Sequence, residues 1–352
     1  MNSEDKYNIL ENCKLLAEKG DPEAQRRLGD RYRHGRSVAK DSAQAISWYR
    51  KAAEQSDAIA QARLGDCFYE GEGITQDFAQ AVIWYRKAAD QGETWAQTSL
   101  GDCYFNGYGV TKDLTLAVSW YRKAAEQGDS WAQVTLGGCY SRGDGVAPDP
   151  QRAAAWYQIA AEQGLAHAQL TLGNCYYKGD GVPQYLTSAA LWYRRAAEQG
   201  DHEAQYRLGL CYSKGEGLTV DTAQAAEWLT KAAKGGHEWA QYRLGECYQT
   251  GVGVEQDLAK AVQFYRMGAD QGLAFAQYKL GECYSRGIGT KRDLVEGYAY
   301  TLLAVKEIPR LNSFHTLLVT ALTAEEVKSG QLRARQIQTE IAAKKAGKRG
   351  GE

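Results

Sequence analysis

The sequence predicts an all-α solenoid of antiparallel helix pairs, and three regularities carry that prediction. Cysteines stand at 67, 103, 139, 175, 211, 247 and 283, each 36 residues from the next. Trp48, Trp84, Trp120, Trp156, Trp192 and Trp228 keep the same interval, with Phe264 and Tyr300 continuing their column. Ala-Gln pairs run from Ala24-Gln25 to Ala276-Gln277, and Leu-Gly pairs from Leu28-Gly29 to Leu280-Gly281, without insertion or deletion. A fixed period of roughly 20 to 50 residues marks stacked supersecondary units, each too small to bury its own core. Length alone would suggest two domains. The period replaces them with one array of eight repeats over 24–311, between an N-terminal capping helix (1–23), C-terminal capping helices (312–345) and a disordered tail (346–352).

The elements follow in order. Residues 4–20 read as one helix, with Ile9, Cys13, Leu16 and Ala17 on one face and Gly20 as its stop. Residues 95–128 show what each repeat contains. Ala96, Leu100, Cys103 and Tyr104 form a stripe at helical spacing, and Gly107 and Gly109 end that helix. Asp113 is placed to cap a second helix, whose stripe is Ala117, Trp120, Tyr121, Ala124 and Ala125 and whose stop is Gly128. Asp149-Pro150 strengthens this boundary in the fourth repeat, since proline favours the first helical position. In the fifth, Tyr185 replaces the capping Asp, with Thr187 or Ser188 as substitutes. Thr323 and Glu326 form a capping box that opens a final polar helix. The basic residues Lys344, Lys345, Lys348 and Arg349 read as a frayed terminus rather than a localisation signal.

Composition narrows the function. The chain has 352 residues, 42 basic against 43 acidic, so no excess of cations suits it to a nucleic-acid backbone. No stretch approaches the roughly 18 apolar residues of a membrane span. The start, MNSEDKYNIL, lacks the layout of a signal peptide, so a cytoplasmic location is expected.

The recurring pattern A-x3-L-G-x2-Y-x2-G-x-G-V-x2-D-x3-A-x2-W-Y-x2-A-A-x2-G resembles the Sel1-like repeat, a relative of the tetratricopeptide repeat. Ala96, Leu100, Gly101, Tyr104, Gly107, Gly109, Val110, Asp113, Ala117, Trp120, Tyr121, Ala124, Ala125 and Gly128 carry it in the third copy. The resemblance implies a right-handed superhelix whose first helices line a concave face, and a scaffold or adaptor role in protein complexes. Some relatives staple each repeat with a pair of cysteines. With one per repeat here, that bridge cannot form, and neighbouring copies ~20 Å apart exceed the ~7 Å reach of a disulfide. The column therefore reads as a small buried filler.

No enzyme chemistry assembles. The G-x-G elements join two helices and are usually followed by an acid, which suits no phosphate. The five histidines lack zinc-ligand spacing, so no metal or cofactor is expected. Ser37-Val-Ala-Lys40 and Ser3-Glu-Asp-Lys6 match the Ser-x-x-Lys of penicillin-recognising enzymes, a chemistry attributed to some Sel1 relatives, but the accompanying motifs are absent.

The remaining candidates are columns outside the framework. Trp95, Trp131 and Trp239 share the position opening the first helix with Phe275, His167, Ile59, Glu23 and Glu203. Three residues on come Tyr206, Tyr242 and Tyr278, and one further come Arg27, Arg63, Ser99, Thr135, Thr171, Arg207, Arg243 and Lys279. Residues three and four apart share a helix face. By resemblance to tetratricopeptide domains, these columns line the concave groove. Aromatics and Arg there suit a protein or peptide partner; packing on the preceding repeat is the alternative for the tryptophans. Arg27, Arg63, Arg243 and Lys279 have acids three residues on (Asp30, Asp66, Glu246 and Glu282). Arg207 has Leu210 instead, which makes a clamp for a carboxylate or acidic peptide over repeats six to eight a candidate. The expected function is a non-enzymatic scaffold. The rivals are an inhibitor or immunity protein masking an enzyme or toxin and, third, a weak penicillin-recognising hydrolase. Whether the open ends of the array dimerise stays undecided.

Overall fold

A computed structural model of the protein describes residues 3–349, with side chains over 10–347. Those residues form α-helices joined by short turns, with one 3₁₀ turn at Pro309–Leu311 and no strand. The helices group into two compact units, 1–168 with 180–182 and 169–179 with 183–352. The period runs through this division uninterrupted in sequence. Inside each unit the two helices of a repeat pack closely, and each second helix packs less extensively on the first helix of the next repeat.

Repeat three shows why the sequence folds this way. Its helices are Thr94–Asn106 and Leu114–Glu126. Every residue of the two expected stripes is buried, from Ala96 to Ala125. Asp113 accepts the N–H of Leu116 at 2.9 Å as a cap, and Gly128 is left-handed at φ +96°. Gly109 is required by contact as well as by φ. A Cβ there would lie 2.2 Å from the carbonyl oxygen of Phe78, at the start of the preceding repeat's second helix. The Ala-Gln pair, which periodicity marks without explaining, stitches repeats together. Gln97 Nε2 donates to the carbonyl of Ala89 in the last turn of the preceding helix at 3.2 Å, and its Oε1 accepts from Gln127 at 2.8 Å. This satisfies a carbonyl that a helix end leaves without a partner.

Three local expectations are corrected. Tyr185 holds the cap position of Leu186–Glu198 with no side-chain hydrogen bond. Thr187 and Ser188 do not substitute, because both lie inside the helix they would have to precede. The first helix, Ser3–Glu18, buries Leu10 and Ala17 while Leu16 is exposed, so its inner face is Leu10, Cys13 and Ala17; the side chain of Ile9 lies outside the described residues. The last helix, Ala324–Arg349, runs on through part of the expected 346–352 tail, since Ala342, Ala343 and Ala346 favour helix and no proline interrupts it. Residues 350–352 lie outside the described residues. The capping box forms: Thr323 N–H donates to Glu326 at 2.8 Å, and Glu326 N–H to Thr323 Oγ1 at 3.3 Å.

The periodic cysteines are thiols, buried except for the half-buried Cys247. Burial pushes the thiols of Cys67 and Cys103 up to about 12, and those of Cys139, Cys211 and Cys283 up to about 11. No helix among the described residues is long and apolar enough to cross a membrane.

Candidate partner-binding surface

The three tryptophans outside the framework divide by unit. In the first, Trp95 and Trp131 are 50% and 52% exposed, although both open helices whose next residue, Ala96 or Ala132, is fully buried. Trp95 Nε1–H donates to Asp66 Oδ1 at 3.1 Å, which fixes the indole against the preceding repeat. Both rings border a cleft of about 310 Å³ whose other walls include Tyr69, Asp66, Glu70 and Asp102. Asp66 also accepts from the hydroxyl of Tyr85 at 2.9 Å and lies 3.4 Å from Arg63. Glu70 is 2.6 Å from Arg33. Asp102 accepts from the Tyr121 hydroxyl at 2.7 Å, and burial raises its pKa from the ordinary value.

In the second unit Trp239 is packed instead. It meets Phe275 at 5.5 Å between ring centroids and Tyr242 edge-on at 6.2 Å, and Tyr242 is buried with its hydroxyl donating to Glu246 at 2.7 Å. Tyr278 lies edge-on to Phe314 of the C-terminal helix Asn312–Ala321 at 6.1 Å. Trp95 and Trp131 thus present their faces outward, whereas Trp239 packs on its own helix and on the following repeat rather than on the preceding one.

The cations follow a rule that spacing alone left hidden. Where the first helix opens with Glu, the Arg four residues on turns back to it. Arg27 bonds Glu23 at 2.6 Å, rather than the Asp30 expected, and Arg207 bonds Glu203 at 2.6 Å. Where it opens with an apolar residue, the cation reaches forward, as in Arg63–Asp66, Arg243–Glu246 at 3.0 Å and Lys279–Glu282 at 3.1 Å. Arg207 is thus already paired, although Leu210 fills the forward position. Glu203 also accepts from His237 Nε2 at 2.7 Å, while His237 Nδ1 accepts the N–H of Ala240 as a cap. These two bonds assign the ring proton to Nε2. The bond from His237, and next that from Arg207, hold the Glu203 carboxyl down to about 2. Tyr206 stacks on His237 at 4.5 Å. The clamp residues Arg207, Arg243 and Lys279 each carry a carboxylate of their own.

Sequence reasoning passed over Asp102. Its signal was present in the cation column, where Ser99 stands in repeat three while the acid three residues on is retained.

Comparison with known proteins accounts for the period. The model of the Sel1 repeat matches eight times, over residues 22–57, 58–93, 96–129, 132–165, 166–201, 202–237, 240–273 and 274–307. The chain is similar to a Sel1 repeat protein from Oxalobacter formigenes, at 32% identity over 89% of this chain and 90% of that one, with a TM-score of 0.67. It is also similar to a protective antigen of uropathogenic Escherichia coli strains with an SLR fold, at 33% identity over 94% and 87%, TM-score 0.51. None of the curated proteins matches. Eight repeat matches across most of its length place the chain in the Sel1 repeat family.

Proposed function

We propose that the chain is a non-enzymatic scaffold or adaptor that holds a polypeptide segment of a partner protein on the first-helix face of its repeats. Sel1 repeat proteins generally mediate protein–protein interaction. The observation that carries the reading is the pair of half-exposed indoles, Trp95 and Trp131, in neighbouring repeats on one cleft. A large aromatic kept outward at a position that elsewhere holds His167, Ile59 or Glu23 gains nothing from water and offers much area to a partner. In the second unit Tyr206, three residues on from that position, and Arg207, Arg243 and Lys279, four residues on, extend the surface, and the cations bind a partner carboxylate only by displacing Glu203, Glu246 or Glu282. Trp239, Tyr242, Phe275 and Tyr278 support that surface from within. No cofactor takes part.

Affinity capture from native lysate tests this, with wild type beside a Trp95→Ala/Trp131→Ala variant of matched thermal stability. A partner held by wild type, lost by the variant and replaceable by one of its linear fragments supports the scaffold. Capture that needs a folded enzyme and lowers its activity would replace it with an inhibitor. Equal capture by both proteins would remove the surface.

A further inference from the structure

Five first helices pair a cation with an acid on this face; repeats three to five lack the cation, and of these repeat three alone keeps the acid. Ser99 stands where Arg63, Arg243 or Lys279 stands elsewhere, and Asp102 keeps the acid. Among the described residues no cation lies within ion-pair distance of Asp102, whose one side-chain partner is the Tyr121 hydroxyl. The neighbouring Asp66 and Glu70 are already met by Arg63 and Arg33. Among the described residues no basic one lines the cleft.

The indoles beside it carry the complementary chemistry. A cation over an indole face is attracted by the ring quadrupole. This chain uses that contact repeatedly on its second helices, with Lys87 4.0 Å above Trp84 and Lys123 3.9 Å above Trp120. Trp95 and Trp131 are exposed and have no such cation among the described residues. At about 310 Å³ the cleft is at the low end of the ~300–1,000 Å³ of small-ligand sites, which suits one side chain.

We infer that the cleft between Trp95 and Trp131 receives a single Arg or Lys side chain of the partner segment, with Asp102 as its counter-ion. The inference rests on the scaffold reading and adds its specificity: the cation that repeat three lacks is supplied in trans. Such a cation stabilises the ionised form of Asp102 that burial disfavours.

The test needs no partner. N-acetyl-arginine amide and its neutral isostere N-acetyl-citrulline amide are titrated into the full chain, while the indole N–H resonances of Trp95 and Trp131 are followed by NMR. The arginine compound should shift both and the citrulline compound neither. Asp102→Asn, which keeps an acceptor for Tyr121, should weaken binding about tenfold. Ser99→Arg should abolish it by supplying the missing cation internally, and should leave folding intact because Arg63 occupies the equivalent position. Equal shifts from both compounds, no shift from either, or unchanged binding in both variants would overturn the inference. If a captured partner still depends on Trp95 and Trp131 when the arginine compound fails, the scaffold reading stands and the cation site alone falls.

Discussion

Gly101 leaves room for the ring of Tyr121: a Cβ on Gly101 would lie 2.6 Å from Tyr121 Cε1. The same approach joins Gly65 to Tyr85 and Gly245 to Tyr265, so the Leu-Gly pair exists to admit a buried tyrosine. In repeat six Leu229 replaces that tyrosine, and a Cβ on Gly209 would meet it at 3.0 Å. Alanine gains about 1 kcal/mol of helix propensity over glycine, whereas overpacking costs about 1–3 kcal/mol. Gly101→Ala should therefore destabilise the chain and Gly209→Ala should be near neutral, as read by urea denaturation. Equal losses would contradict this account of the column.

Tyr185 is an exposed side chain in the position where Asp113 caps the equivalent helix. Tyr185→Asp should restore the bond to the Ser188 N–H and raise stability by about 0.5–2 kcal/mol. A lowered melting temperature would show that the tyrosine contributes something the capping argument omits.

Most of the architecture was legible in the sequence because one spacing repeats without an insertion. Every copy reports the same helix pair, turn and buried stripe, so a weak local signal such as Asp113 becomes firm by recurrence. The surface was less legible. Whether Trp95 faces outward and Trp239 inward depends on neighbours far along the chain, such as Phe275 beside Trp239. The direction of each ion pair depends on two positions at once, since Arg207 chooses Glu203 because the helix opens with Glu. Asp102 was hidden for the opposite reason: its meaning is an absent partner, which a search for present motifs passes over.

Burial makes the thiols of Cys67 and Cys103 poor thiolates. At pH 8 the native protein should react with Ellman's reagent at these residues far more slowly than the protein in guanidinium. Fast native labelling of either would contradict the filler role.

Glu203 carries a pH signature. Its carboxyl, at about 2 in the folded chain against 4.5 ordinarily, favours folding above pH 4.5, and that contribution is lost as the pH falls toward 2. Wild type should exceed Glu203→Gln in stability at pH 6, with the difference shrinking between pH 4.5 and 2. A difference that stays constant over that range would remove the Arg207–Glu203–His237 arrangement as its source.

The central claim is that the outward indoles of Trp95 and Trp131 are a binding surface. Calorimetric titration of the captured partner segment into wild type, Trp95→Ala and Trp131→Ala measures it most directly. A central aromatic contact worth about 2 kcal/mol predicts an affinity loss of roughly thirtyfold for each variant, with thermal unfolding little changed. Unchanged affinity in both folded variants would contradict the account.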